Sequence, residues 1–299
     1  LAAQEGVVES EFVFRVYLGE TVLPFRTLDA PQAVLPIESK GLLSPGKLDS
    51  YPGLAAWWAQ GRATWERLRS SPKLTLDDQL DYHGKLSGQL PLASERIVYT
   101  ASGMHLAAAR VRDHRAIIEH GLYWAAINSA EEGQYLCAIL NSPLVTERVR
   151  PLMAYGKDER HIDKYVWSLP IPMFDPSNAL HARVAKLGAD AEALVAQVML
   201  DGKHFARERR RIRDMLAASE VGRAIEVAVA ELLGPAPAHA SGTSTRTTLA
   251  ARAAELRGLK QGWHEPETPP PDLELLGRFV TFLDLAAKRT SLGLPYLYA

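Results

Sequence analysis

Three prolines in one short run divide this chain into two unlike parts. Pro170, Pro172 and Pro176 fall within VWSLPIPMFDP, Val166 to Pro176. Each proline removes a backbone donor and disfavours helix in the residue before it, so the run is extended. Upstream, from Glu11 to about Tyr123, short β-branched or aromatic-rich runs alternate with Gly, Pro and Asp. They are FVFRVYL (Phe12 to Leu18), TVLPF (Thr21 to Phe25), AVLPI (Ala33 to Ile37), RIVYTAS (Arg96 to Ser102) and LAAARVR (Leu106 to Arg112), and each reads as a strand. Leu54 to Leu68 and Leu74 to Lys85 read as helices between them. Trp57, Trp58, Trp65 and Leu68 recur at near-helical spacing, a pattern of core packing rather than base stacking. Another helical signal runs from Gly133 to Val149, interrupted by Pro143, with a glycine turn at Gly156 after it.

Downstream the pattern turns helical. Leu180, Val184, Leu187, Ala191, Leu194 and Val198 fall at alternating steps of four and three, the seam of a coiled coil or helical hairpin that needs a partner helix. KHFARERRRIR, Lys203 to Arg213, is the most basic window. A helix over Glu220 to Leu233 stops at Gly234-Pro235. Ala236 to Thr248 has a linker composition. Leu249 to Leu259 and Leu273 to Lys288 read as helices, and the tail SLGLPYLYA is apolar enough to dock. The expected fold is α+β: a β-rich recognition core with inserted helices over 1–176, a helical spacer over 177–234, a flexible linker over 235–248 and C-terminal helices over 249–299.

The charge balance bears on partners. Lys and Arg total 34 against 35 Asp and Glu, a net charge of −1, which argues against a protein that coats nucleic acid through many phosphate contacts. A local basic face remains compatible with it. Hydrophobic residues make up 47% and charged residues 23%, the balance of a globular protein. With no apolar run of roughly 20 residues and no leader, a cytoplasmic protein without a membrane partner is expected. Cys137 is the single cysteine; in YLCAIL it has no flanking base or cation and reads as a buried structural thiol in a reducing compartment. The chain opens at Leu1 in mid-pattern, and is expected to be a piece of a longer protein.

Catalytic signatures are missing from the sequence. A glycine-rich turn after a strand, as S-adenosylmethionine enzymes require, is not found. Asn141-Ser142-Pro143-Leu144 lacks the second proline and the aromatic of an adenine-holding loop. Pro271-Asp272 with Glu274 has no lysine two residues on, as a metal-dependent nuclease would want. The nine histidines show no metal-binding spacing, and Ser102-Gly103 lacks the first glycine of a hydrolase elbow. A binding function, not an enzyme, is expected of this chain.

The segments DYHGKLSGQLP, RIVYTASGMHLAAARV, GLYWAAINSAEEGQYLCAILNSPLV and GKDERHIDKYVWSLPIPMFD lie in that order between Asp81 and Asp175. Together they resemble the C-terminal target-recognition regions of N6-adenine DNA methyltransferases in type IIG, type I-like and phage-defence systems. The resemblance rests on order and spacing: a Lys-x-x-x-Gln step, a strand ending in Ser-Gly, a YL-x-x-ILNS helix, and a turn into LPIP-x-F-D before a long helix. It implies double-stranded DNA as partner and an upstream methyltransferase domain of the same parent chain that holds S-adenosylmethionine. No cofactor is then expected in this chain.

On that reading, the base and phosphate readers are polar and basic residues at the edge of the β-rich core. The candidates are Lys85, Gln89, Arg96, Arg110, Arg112, Lys157, Arg160, His161 and Lys164. Lys85 and Gln89 would share a helical face, although an exposed surface pair has the same spacing. Asp158, Glu159 and Asp163 could make 157–164 an ordinary solvated turn. The arginines from Arg207 to Arg213 read as a solvated helical face or as phosphate contacts. The rival class is a helical protein-interaction or structural module with no DNA role; a diverged enzyme is a third.

Overall fold

A computed structural model describes residues 4–155, 160–202 and 204–235. The linker and C-terminal helices expected over 236–299 lie outside the described residues. Within them the fold is α+β.

Strand β1 (Val13–Tyr17) is followed by two tight hairpins. The first pairs β2 (Val22–Leu23) with β3 (Arg26–Thr27). After β4 (Gln32–Val34), the second pairs β5 (Ile37–Glu38) with β6 (Gly41–Leu42). Helices α1 (Pro45–Leu48), α2 (Pro52–Leu68) and α3 (Leu76–Leu80) come next. Strands β7 (Arg96–Thr100), β8 (Ala108–Val111), β9 (Ala116–Ile118) and β10 (Leu122–Ala126) then complete two three-stranded sheets, ordered β4-β1-β9 and β10-β7-β8. β1 runs antiparallel to β4 and parallel to β9, and β7 is antiparallel to both its neighbours. The five strand runs read from the sequence all carry strand. β9 and β10, both short and joined by the polar turn Glu119-His120-Gly121, are not among those runs.

Helix α2 forms over the expected run, with Trp58 inside and Trp57 and Trp65 half-buried. Trp58 is buried with Phe12, Leu48 and Leu54, and its indole N–H donates to Asp77 at 2.9 Å; that of Trp65 donates to the Leu74 carbonyl at 3.0 Å. The helix expected over Leu74 to Lys85 is shorter. α3 ends at Leu80, and His83 (φ 58°) and Gly84 (φ 66°) take left-handed backbone that breaks it. Lys85 and Gln89 therefore do not share an α-helical face.

Helices α4 (Ala130–Asn141) and α5 (Pro143–Val149) follow, broken at Pro143 as its missing N–H requires. Then come the hairpin of β11 (Ala154–Tyr155) with β12 (Arg160–His161), a 3₁₀ segment over Asp163–Ser168, and the extended proline run. α6 (Ala179–Ala196), α7 (Phe205–Ala218) and α8 (Glu220–Leu233) complete the described chain. Ser129, Asn178 and Ser219 accept backbone N–H bonds at the starts of α4, α6 and α8, the caps such residue types favour.

α4 lies between the β7–β8 strands and α6, and α6 also packs on α8. One apolar cluster therefore runs from Leu23 to Leu233, with Cys137 buried in it and its thiol pushed up by burial. The partner for the α6 seam is inside the chain, and the buried face takes in Val184 and Ala191 of the heptad but is centred to one side of its leucines. His181, Val184, Ala185, Gly188, Ala191 and Val195 face inward, while Leu180, Leu187, Leu194 and Val198 flank them half-buried. The cause is close approach. A Cβ on Gly188 would overlap the Gln134 carbonyl oxygen of α4, so small residues face α4 and the leucines are displaced to the sides.

Candidate functional site

The candidate site is a concavity of about 1100 Å³ between the loop joining β7 to β8 and the helices α7 and α8. Its wall includes Thr100, Ser102 to Leu106, the Asn141–Pro143 step between α4 and α5, and Arg207, Arg209, Arg210 and Arg213 of α7. Helical geometry separates those arginines into different roles. Arg209 turns inward: its Nε donates to the Val22 carbonyl at 2.9 Å, its Nη2 to the Gly19 carbonyl, and its guanidinium sits 4.8 Å from the Phe205 ring centroid. Burial, and then the Arg213 charge, lower its pKa to about 10, so it is still a cation at neutral pH. It anchors α7 to the β-rich core.

Arg210 and Arg213 lie three apart and so share a helix face. Neither has an ion-pair partner among the described residues, whereas Arg207 lies 3.6 Å from Asp201. Their charge reaches His105 across the cavity. The His105 imidazole is held below its ordinary value by burial first, then by the positive charges of Arg213, Arg150 and Arg210. A lowered imidazole pKa beside two guanidiniums without ion-pair partners among the described residues marks positive potential; burial lowers the Arg213 pKa, Asp214 raises it and Arg210 lowers it. Glu20, Asp214 and Glu226 are the acids of the wall.

Deeper in, Thr100 and Ser142 are buried, and neither hydroxyl has a hydrogen-bond partner. Such a group costs about 1–3 kcal/mol when left unpaired. Ser142 stands at the start of α5, where a serine normally accepts a backbone N–H, yet it makes no such bond. By contrast Asn141 is committed, its amide donating to the Ala108 and Cys137 carbonyls at 2.9 Å each while its oxygen accepts from Ala108 N at 3.0 Å.

The residues singled out from the sequence fall into three groups. Gln89, Arg96 and Arg110 are corrected to interior supports, because each is buried and bonded within the chain. Gln89 donates to the Lys85 and Ile118 carbonyls and accepts from Ile118 N and Arg96. Arg96 donates to Gln89 and Ala116 and lies over Trp124, 5.6 Å from its centroid, with burial lowering its pKa to about 10. Arg110 is clamped by Glu192 of α6 through two 2.6 Å bonds and by Glu95 at 2.6 Å. Burial works against its charge, but the Glu192 hydrogen bonds and charge, then Glu95, raise its pKa.

Lys85, Arg112 and His161 are on the surface. Arg112 also bonds Glu192, at 2.9 Å. The backbone places Arg160 in β12 and Lys164 in the 3₁₀ segment, and Lys157 lies outside the described residues. The β12 hairpin is fastened to the cavity wall: Ile162 N donates to the Ala101 carbonyl at 2.8 Å, and His161 bridges Ser102. The β12 backbone is thus tied to the Ala101–Ser102 segment, whose Ser102 lines the concavity, but His161 is not among the residues of its wall. Sequence reading missed His105, Thr100 and Ser142, since a hydroxyl within an apolar run carries no local signal of being unpaired. Among the described residues no three His, Cys, Asp or Glu gather as a metal site, and no helix is long and apolar enough to cross a membrane.

No protein-family model matches the chain, and no curated protein does. Solved structures do. The Type IIL restriction-modification enzyme MmeI in complex with DNA matches at a TM-score of 0.50 and 12% identity, over 76% of this chain and 29% of that one. The type IIG restriction endonuclease BpuSI matches at 0.35 and 14%, over 75% and 27%. The chain thus spans less than a third of either enzyme, and at these identities the likeness to MmeI shows a shared fold: this chain folds like part of a restriction-modification enzyme.

Proposed function

We propose that this chain is the DNA target-recognition region of a restriction-modification type, adenine-specific DNA methyltransferase, and that it grips the duplex with the arginine-walled concavity. The observation that carries the reading is the pair Arg210 and Arg213, unpaired beside a His105 held neutral. Phosphate oxygens are the natural partners for such cations. The fold of MmeI, whose structure is a complex with DNA, supports it. Catalysis and S-adenosylmethionine belong, on this reading, to a separate domain of the parent, and calorimetry of this chain with the cofactor should show no binding. The docking alternative loses its main support, because the apolar face of α6 is covered by α4 and α8.

Binding to duplex DNA across a salt series tests the reading. Each lost phosphate contact lowers the slope of log affinity against log salt by about 0.9, so Arg210→Ala with Arg213→Ala should flatten it by roughly 2 and weaken all sequences alike. In the parent enzyme, Arg160→Ala should shift site preference instead, read by sequencing methylated sites. An unchanged slope in the double variant, or no binding by the chain at low salt, overturns the proposal.

A further inference from the structure

The concavity is larger and more apolar than a phosphate contact needs. Below its arginine rim the wall is formed by Phe25, Leu106, Leu216 and Ile225, all buried core residues. A volume of about 1100 Å³ is of the order that holds a whole small ligand, for which roughly 300–1,000 Å³ is usual. A backbone groove would be polar along its length. Here the wall arginines all come from α7, whereas Thr100 and Ser142, whose hydroxyls have no partner, come from β7 and the step between α4 and α5, and the apolar residues are spread over both sides.

We propose that the concavity binds one nucleotide unit, with its phosphate on Arg210 and Arg213, its base against the apolar wall, and the base edge hydrogen-bonded by Ser142 and Thr100. The ligand must be anionic at one end and flat, apolar-faced and polar-edged at the other, which is the chemistry of a nucleotide. Two sources present it: a nucleotide extruded from DNA or a free mononucleotide. The first source rests on the DNA-binding reading above. His105 and Asn141 also line the concavity, but the Asn141 amide is already bonded, which leaves the base edge to the hydroxyls. Ser142 can take this role at no cost to α5, since its hydroxyl caps nothing.

Calorimetric titration of the full chain with deoxynucleoside monophosphates, inorganic phosphate and nucleosides tests the pocket. At least one monophosphate should bind tenfold or more tightly than phosphate or its own nucleoside. Ser142→Ala and Thr100→Val should each lower that preference by several-fold while phosphate binding stays the same. Arg213→Ala should weaken phosphate and nucleotide together. Melting curves confirm that each variant is folded, and Ser142→Thr, which keeps the hydroxyl, should retain the preference. Duplexes carrying 2-aminopurine identify the source, because an extruded base gains fluorescence that Ser142→Ala should diminish. Fluorescence gain without mononucleotide binding supports the pocket with DNA as its source. Mononucleotide binding without DNA binding keeps the pocket and overturns the DNA reading. DNA binding with neither fluorescence gain nor mononucleotide binding overturns the pocket alone, as does phosphate binding as tightly as any nucleotide.

Discussion

Replacing Glu192 with glutamine keeps the shape of the side chain and removes the charge facing Arg110. The Arg110 side chain is 4% exposed and that of Glu192 13%. Its one remaining carboxylate partner would be Glu95, at 2.6 Å and 22% exposed. Stranding one member of a buried pair costs about 3–5 kcal/mol, and the retained Glu95 contact puts Glu192→Gln near the lower end, at about 3 kcal/mol. For a body of this size that is a fall in Tm of roughly 6–12 °C. Arg110→Met should cost somewhat less, because Glu192 keeps Arg112 at 2.9 Å on its solvent side. The double variant Arg110→Met with Glu192→Met should then fall short of the summed losses by about 1–3 kcal/mol, the coupling of contacting residues. Guanidinium denaturation followed by circular dichroism measures all three, and DNA affinity of the Arg110→Met protein, well below its Tm, should be unchanged. Strict additivity, or single losses within about 0.5 kcal/mol of the parent, would refute the clamp. An unshifted melt with weakened DNA binding would restore Arg110 as a DNA contact.

Gly188→Ala should destabilise by about 1–3 kcal/mol through overpacking, because α4 and α6 would have to part at the Gln134 carbonyl; a melt that does not move would show the helices free to separate. Val184→Ala, on the buried face of α6, should cost more than Leu187→Ala on its half-buried flank, against the ordinary 2–5 kcal/mol for a fully buried leucine. Equal or reversed losses would show the Leu187 flank to be packed as tightly as the inward face.

Patterns that a local rule generates were readable in the sequence. The five strand runs, the extent of α2 and the break at Pro143 follow from side-chain type and backbone chemistry within a few residues. The register of the α6 buried face was not, since it depends on how close α4 comes, and Gly188 reveals that distance only once its neighbour is known. The same limit governs the site. Arg96, Arg110, Arg209, Arg210 and Arg213 are alike in a sequence, but Arg209 meets two carbonyls of the Gly19–Val22 segment, Arg110 meets Glu192, and Arg210 and Arg213 meet neither. Net charge is equally uninformative here: a chain at −1 still sets Arg210 and Arg213 on one wall without ion-pair partners among the described residues.

His105 turns that concentration into a pH dependence. Burial, Arg213, Arg150 and Arg210 hold its imidazole below the ordinary histidine value, so it is neutral at pH 7 in the free protein. The groups facing it are the cations Arg150, Arg210 and Arg213, with the acids Glu20, Asp214 and Glu226 elsewhere on the wall. For stability the sign is fixed: the unfolded chain takes up a proton at about pH 6.5 while the folded chain resists it. The contribution of His105 to stability is therefore present above that pH and lost as pH falls below it. For binding the sign is opposite. A phosphate seated on Arg210 and Arg213 cancels their repulsion of the imidazolium, so the His105 pKa rises in the complex and binding takes up a proton. Affinity for DNA should then increase from about pH 7.5 to 5.5 at constant ionic strength, by less than tenfold per pH unit because one group titrates. Fluorescence anisotropy at each pH measures it, and His105→Gln should remove the rise while leaving affinity at pH 7.5 nearly unchanged. A rise of the same size in His105→Gln, or none in the parent, would mean that no phosphate sits between these arginines.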